Sequence, residues 1–295
     1  MYEDVKLYAP MIVDEAGRPR FRFPREHPAY GDAAYTRRRD RIAYLGMQHV
    51  PGTPAPHIDY HEDDHRAWRI ITAALAQRHR EYAAAEMVEG AAVLDLPTDR
   101  VPQLDEVSER LAKLTGFRLV PAVGFVPIGE FYGSLETSEF FAAQFIRHHS
   151  QPLFSPEADV VHELLGHGPA LADPALAELY RIVGQATRRV TQQRTVQLIS
   201  RLFWFTLEYG VLQAPMGEPK AYGAGLLSSY GEIEQFQTAR IRPLGLADMV
   251  AQDYDITVYQ PNLFAARSLT HVQDFLGEFL ASVDDETPER LNAPF

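Results

Sequence analysis

The sequence predicts a mostly α chain with a few short β-strands (α+β). Two observations carry this expectation. Apolar residues recur at intervals of three and four through several long stretches, as in helices with one buried face. The remaining apolar runs are short and broken by Pro or Gly, which leaves room for few strands, mainly in the second half. No internal repeat, low-complexity tract or Pro/Ser-rich linker divides the chain. Residues 31–295 therefore read as one domain behind an N-terminal arm at 1–30.

The elements follow in order. Residues 1–30 are rich in Pro, Arg and Tyr, lack periodicity, and read as an extended arm. Ala33 to Met47 carries Arg37, Arg38 and Arg39, a basic cluster expected on a solvated helix face. Pro51 to Pro56 is a loop. His61 to Glu86 reads as the longest helix, with Trp68, Ile71, Leu75 and Tyr82 near helical spacing. His61 and His65 lie four apart beside three acidic residues. A metal site would use such a pair, but acidic groups also suit a first helical turn, and the structural reading is preferred. Gln103 to Leu114 is an amphipathic helix ended by Gly116, and Phe117 to Val126 a strand or extended loop. Ser155 and Pro156 suit the cap and first position of a helix carrying His162. Asp173 and Pro174 start another, reaching Arg189, and Thr191 to Tyr209 is a third, ended by Gly210. Gln213 to Tyr222, with Pro215, Gly217 and Pro219, reads as a hairpin-like connection. Gly223 to Ser229 reads as a loop without the lysine of a phosphate-binding loop. Leu269 to Val283 is the last helix, before a polar tail.

Composition excludes several functions. A net charge of −12 argues against nucleic acid and anionic membranes as partners. The absence of cysteine excludes disulfides, Cys-ligated clusters and thiol nucleophiles. No basic-then-apolar leader and no run of 18 apolar residues is present, so a cytoplasmic enzyme is expected. Nothing in the sequence implies an oligomer.

The chemistry centres on Pro156 to Pro169, which holds His162 and His167 among Val160, Val161, Leu164 and Leu165. A zinc-protease helix spaces its histidines by four; here the interval is five. On a regular helix five residues turn about 500°, so the two rings would diverge by roughly 140°. A π-type turn or the end of a helix can bring them together. Two buried core histidines near a helix end is the competing reading. Glu208 adds a third donor. It stands in Phe203-Trp204-Phe205-Thr206-Leu207-Glu208-Tyr209-Gly210, where a carboxylate is costly to bury unless paired or bound to a cation. A surface salt bridge is the alternative there. Two histidines and one carboxylate with open positions form the ligand set of non-heme Fe(II) oxygenases.

At these residues the chain resembles the catalytic domain of the tetrahydrobiopterin-dependent aromatic amino acid hydroxylases, and the phenylalanine hydroxylases most closely. The collinear blocks are Thr115 to Leu119, Phe145 to His148, His162 to His167, Phe203 to Gly210, Lys220 to Ser229 and Tyr259-Gln260-Pro261. They span about Phe23 to Leu280. The resemblance implies a helical, basket-like catalytic domain of the short bacterial type. It implies Fe(II) held by His162, His167 and Glu208, a tetrahydropterin such as tetrahydrobiopterin, and O₂ as co-substrate, with both electrons supplied by the pterin and no nicotinamide. Gly124, Val126, Ile128 and Phe131 resemble the pterin-lining positions. Glu163 is implied as the catalytic carboxylate facing the pterin, although on spacing alone a solvent-facing Glu fits as well.

The implied substrate is a free aromatic amino acid. Arg147 would grip its carboxylate as a bidentate pair, oriented by Asp159. Ser155, Gly225 and Ser228 resemble positions near the amino acid backbone, and Trp204, Tyr209 and Ile256 would wall the ring. The chain departs from the family in Ser155 for Thr, Ala158 for Pro and Tyr209 for Phe. Ile256 resembles the tryptophan-hydroxylating members and Trp204 the phenylalanine and tyrosine members. Phenylalanine, with an enzyme like the phenylalanine 4-monooxygenases, is the first expectation; tryptophan, or another ring position, is the alternative. Two readings of other classes remain: a zinc hydrolase using the same three ligands with Glu163 as base, and a non-catalytic amino acid binder.

Overall fold

The structure is a computed structural model describing residues 9–213 and 217–294. It is predominantly helical. An N-terminal hairpin of β1 (Met11–Val13) and β2 (Pro19–Phe21) precedes α1 (Ala33–Met47). Asp32 caps α1 through its side chain, which accepts from Ala34 and Tyr35 N–H. Thus the stretch read as an arm contains a paired hairpin, and Phe21 packs with Ala9 and Ala43 in a small core of its own. Residues 1–8 lie outside the described residues.

The long helix expected at 61–86 divides in two, α2 (Glu62–Tyr82) and α3 (Ala85–Leu94). The break has a cause: the Ala84 N–H bonds the carbonyl of Ala221 instead of continuing the helix. His61 caps α2, and a ring nitrogen of His65 accepts from Val101 N–H, so both histidines are structural. Next come α4 (Leu104–Leu114), β3 (Arg118–Pro121), α5 (Ile128–Ser134) and β4 (Glu139–Ala142). The parallel pair β3–β4 corrects the expectation that strands fall mainly in the second half.

The central helices are a π-helical turn, His162–His167, continuing as α6 (Gly168–Ala172), then α7 (Pro174–Arg189) and α8 (Gln193–Phe203). A second π-helical turn, Trp204–Glu208, closes α8. Beyond it lie β5 (Val211–Leu212), β6 (Lys220–Ala221), α9 (Ala224–Ser228), α10 (Tyr230–Gln235), β7 (Arg240–Pro243), α11 (Leu246–Ala251) and β8 (Asn262–Ala266). The strands order as β6-β5-β8-β7, antiparallel at β5–β6 and parallel elsewhere. Pro215 of the expected hairpin connection lies outside the described residues. The stretch read as a loop at 223–229 is mostly α9, and the polar tail after α12 (Leu269–Ser282) contains the short α13 (Thr287–Arg290). No helix among the described residues is long and apolar enough to cross a membrane.

Outside that small N-terminal cluster one main core unites the elements, with Trp68, Phe117, Phe140, Tyr180, Phe203, Phe205 and Phe264 fully buried. Tyr180, Phe140 and Phe203 pack around His167, so the aromatic core leads directly to the site.

Arg39 departs from the expected solvated face. It is only 3% exposed, bonds Glu157 at 3.0 Å, and lies over the rings of Phe21, Phe23 and Phe145. Burial would raise the Glu157 carboxyl, but the Arg39 charge, with His27, outweighs it and holds Glu157 below 4.5. The contribution of a depressed carboxylate is present above its ordinary value and lost as pH falls through the depressed one. We expect Arg39→Met to cost about 3–5 kcal/mol in urea unfolding at neutral pH, since it leaves the buried Glu157 carboxylate with only the His27 imidazole, at 3.5 Å, beside it. The gap between wild type and variant should shrink as pH falls below 4.5. A neutral-pH change under about 1 kcal/mol, as for exposed pairs, would contradict the assignment.

Candidate active site

The site begins at Asp159. The Val160 N–H bonds Phe145 O at 2.8 Å and the Glu163 N–H bonds Asp159 O at 3.1 Å, which starts the helix three residues before His162. Ser155 is therefore not its cap; its hydroxyl donates to Glu157 O at 2.5 Å. The turn then widens. The Gly168 N–H reaches Glu163 O, five residues back, and the Tyr209 N–H reaches Trp204 O, again five back. The first widening overcomes the ring divergence that a regular helix would impose on the five-residue histidine interval, and the second carries Glu208 toward the two rings.

Three donors meet as a result. His162 Nε2 and His167 Nε2 are 3.1 Å apart, His167 Nε2 and Glu208 Oε1 3.1 Å, and His162 Nε2 and Glu208 Oε2 3.7 Å. Metal–ligand bonds of about 2.1 Å meeting near right angles put donors about 3.0 Å apart, so the spacing fits a single ion. The far ring nitrogens are held as well. His162 Nδ1 lies 2.9 Å from Ser228 Oγ, and His167 Nδ1 lies 2.9 Å from Tyr180 OH. The Ser228 hydroxyl proton goes to Ala224 O at 2.8 Å, so Ser228 accepts from His162 Nδ1–H. That leaves the Nε2 lone pair directed at the other two donors. Burial lowers the His162 pKa to about 4, despite the opposing pull of Glu208. Glu208 is pushed up by burial but pulled below its ordinary value by His167 and His162. A neutral His162 imidazole beside an ionised carboxylate suits the binding of a divalent ion.

The donors open on a cavity of about 900 Å³. Gly124, Val126, Ile128 and Phe131 line one side, and Trp204, Tyr254 and Ile256 line another. Glu163 also faces it, close enough to the two histidines to count as a further donor. Burial raises its carboxyl well above the ordinary range, and Oε1 accepts the Ala143 N–H at 3.1 Å. The volume suffices for a bicyclic cofactor and a small amino acid together.

The sequence matches the family described as biopterin-dependent aromatic amino acid hydroxylases over residues 20–293. This chain belongs to that family. Among its relatives is the phenylalanine 3-hydroxylase of Streptomyces coeruleorubidus, 44% identical over 88% of this chain and 93% of that protein. Tyrosine 3-monooxygenase of Bos taurus is 36% identical over 88% of this chain but only 53% of its own length. The fold matches phenylalanine hydroxylase of Chromobacterium violaceum in a structure with bound iron(III) and 7,8-dihydrobiopterin. That match has a TM-score of 0.73 and 27% identity, and covers 83% of this chain and 93% of the other. The cold-active phenylalanine hydroxylase of Colwellia psychrerythraea 34H matches with TM-score 0.70 and 30% identity, covering 79% of this chain and 93% of the other.

In this hydroxylase the remaining expected residues divide. Arg147 and Asp159 form a buried bidentate pair, through Nε at 2.9 Å and Nη2 at 2.8 Å. Both act electrostatically on His162, yet neither lines the cavity. Ser155, Tyr209, Gly225 and Ser228 do not line it either. Tyr209 packs behind Trp204, with ring centroids 4.5 Å apart and planes tilted by 36°, and a Cβ at Gly225 would stand 2.6 Å from the Tyr209 ring. Gly225 thus makes room for Tyr209, and Ser228 orients His162.

Sequence reasoning missed Tyr180, Tyr254 and Gln260. Tyr180 sits on an ordinary helix face, and nothing local marks its bond to His167. Asp32, His148 and His149 also gather donor atoms within 4.8 Å, but Asp32 is committed to capping α1 and to His148 Nε2 at 3.2 Å.

Ser228 gives the sharpest test of this geometry. Ser228→Ala should weaken iron binding about 10- to 100-fold in a chelator competition, as loss of a ligand-orienting partner does. His162→Ala should lower iron occupancy more severely. Equal iron affinity in Ser228→Ala and wild type would contradict the orienting role.

Proposed function

We propose that this hydroxylase is an Fe(II)- and tetrahydropterin-dependent monooxygenase acting on the ring of free L-phenylalanine, with residues 31–295 as its catalytic domain. One observation carries the reading: the His162, His167 and Glu208 donors converge at the wall of a cavity that also holds Glu163, Phe131 and Trp204. Family membership sets aside the zinc-hydrolase and non-catalytic readings.

Together the bound iron and tetrahydropterin would supply the reduction of O₂ that makes one oxygen atom available to the ring. The chain's residues prepare for it. His162, His167 and Glu208 would hold the ion, a ligand set of two imidazoles and one carboxylate that suits Fe(II) oxygen chemistry. Phe131 offers a face for the pterin to stack on, and the Gly124–Ile128 segment offers backbone groups to its edge. Glu163 spends Oε1 on Ala143 N–H, which leaves Oε2 as a hydrogen-bond partner for the cofactor. Trp204 and Ile256 narrow the space for the substrate ring. Arg147 would grip the substrate carboxylate through Nη1, which its pair with Asp159 through Nε and Nη2 leaves free of that pair, although its side chain does not itself line the cavity. Arg39 and Arg201 do line the cavity, but Arg39 is committed to Glu157, and Arg201 donates to Val250 O at 2.7 Å and pairs with Asp253 at 3.6 Å. The net charge of −12 disfavours nucleic acid as a partner.

The ring position is the finer question. The 44% identical relative, matched over nearly its whole length, is named for the 3-position. Phenylalanine-4-hydroxylase of Bos taurus is 33% identical. We therefore expect 3-hydroxyphenylalanine as the major product, with phenylalanine preferred over tryptophan.

Mass spectrometry and NMR of products from phenylalanine, tyrosine and tryptophan test this directly. Turnover should require tetrahydropterin and ignore 2-oxoglutarate. Turnover supported by 2-oxoglutarate without pterin, or tryptophan consumed well ahead of phenylalanine, would contradict the reading. Arg147→Lys keeps the charge but loses the fork. It should raise the phenylalanine KM about tenfold, worth about 1.4 kcal/mol, with iron content intact. An unchanged KM would remove Arg147 from the substrate site.

A further inference from the structure

The segment from Asp253 to Tyr259 forms part of the cavity wall, yet most of it is exposed; Val258 and Tyr259 are both about half exposed. A surface segment of this kind has little apolar burial to order it. Only Tyr254, Ile256 and Thr257 turn toward the cavity with Asp253. Gln260, immediately after, is 4% exposed and uses its whole amide. Its Nε2 donates to Asp255 O at 2.8 Å and Val258 O at 3.0 Å. Its Oε1 accepts from Trp204 Nε1 at 3.2 Å. The orientation is unambiguous, because two carbonyls need donors and an indole N–H needs an acceptor.

Gln260 is itself anchored to α10. Its backbone N–H donates to Glu232 Oε1 at 2.6 Å. Beside it, Tyr259 lies so close to Gly231 that a Cβ there would fall 2.1 Å from the phenol oxygen. Trp204 completes the arrangement by stacking on Tyr254, with centroids 4.5 Å apart and planes 17° from parallel. The Gln260 side chain therefore ties the Trp204 wall to the Ile256 wall, and its backbone N–H fixes both to a helix outside the cavity.

We propose that Gln260 is a positioning residue that sets the shape of the ring pocket, and through it the choice of substrate and of ring position. It touches no reacting atom. Its effect runs through the separation of Trp204 and Ile256, and the inference rests on the hydroxylation proposed above. Without it the loop carbonyls would turn to water, the indole N–H would lose its acceptor, and the Ile256 wall would move independently of Trp204. The pocket would then accept a larger ring and hold a smaller one in more than one orientation.

The test compares iron-loaded wild type, Gln260→Leu and Gln260→Glu with tetrahydropterin, on phenylalanine and on tryptophan. In Gln260→Leu the phenylalanine-to-tryptophan ratio of kcat/KM should fall about tenfold, the low end of what small pocket differences are worth. The share of product at the major ring position should fall with it. Iron content and the KM for tetrahydropterin should not change. A merely structural role would lower activity without moving the product distribution. Gln260→Glu retains the acceptor for the indole and loses both donors, so it should move both readouts the same way, less far; it serves alone if the Leu variant does not fold. Unchanged substrate ratio and product distribution in the folded variants would overturn the proposal. A second readout needs no turnover. The protein has two tryptophans and hence two indole N–H resonances, assigned by Trp204→Phe. Gln260→Leu should shift the Trp204 resonance alone; no shift would overturn the geometry. If wild type turns over neither amino acid, the functional reading fails, and the indole resonance still decides for or against the clamp.

Discussion

Two widened turns in helices set the chemistry of this hydroxylase. A polypeptide that places two histidines five residues apart must either separate them around a helix or change the helix. Here the backbone changes: the Glu163 carbonyl pairs with the Gly168 N–H, and the Trp204 carbonyl pairs with the Tyr209 N–H. The first widening aligns His162 with His167. The second falls on Trp204–Glu208 and brings the carboxylate within 3.1 Å of His167. Such turns are rare because they pack less well than regular helix, and they persist where surrounding structure holds them. Gly166 is one support, since a Cβ there would stand 2.7 Å from Ala224 O. That close approach seats α9 against the turn, and the far end of α9 carries Ser228 to His162.

Buried charge explains how the turn is held at its entrance. Glu157 and Asp159 stand two residues apart and each meets an arginine from elsewhere in the chain. Glu157 meets Arg39 of α1, and Asp159 meets Arg147 after β4. Removing such groups from water is costly unless each is paired and hydrogen-bonded, and both conditions are met. The two pairs fasten the short segment before His162 to α1 on one side and to the strand region on the other. The N-terminal hairpin covers Arg39 through Phe21, so the first described residues contribute to the rigidity of a site far along the chain.

Much of this was legible in the sequence. The helical periodicity gave α4, α7 and α12 nearly to the residue, because each buries one stripe and carries its own end signals, and it gave α8 only together with the π-helical turn that closes it. The five-residue interval announced an irregular turn, and the aromatic surroundings of Glu208 announced a carboxylate with a task. What stayed hidden depended on distant partners. Arg39 reads as solvated until Glu157, 118 residues away, is placed beside it. Ser228 reads as a loop serine until α9 forms. The break between α2 and α3 is made by Ala221, far along the chain. Gln260 lay within a motif that signalled the family, but a glutamine's role follows from what its amide meets, and no spacing rule reports that.

The central claim is that His162, His167 and Glu208 together hold one iron ion. Anomalous diffraction at the iron edge, from crystals grown anaerobically with Fe(II), tests it most directly. The account predicts a single strong peak about 2.1 Å from both Nε2 atoms and from a Glu208 oxygen, with the remaining positions taken by non-protein ligands. A peak bound by Glu163 in place of Glu208, or lying away from the two histidines, would contradict it.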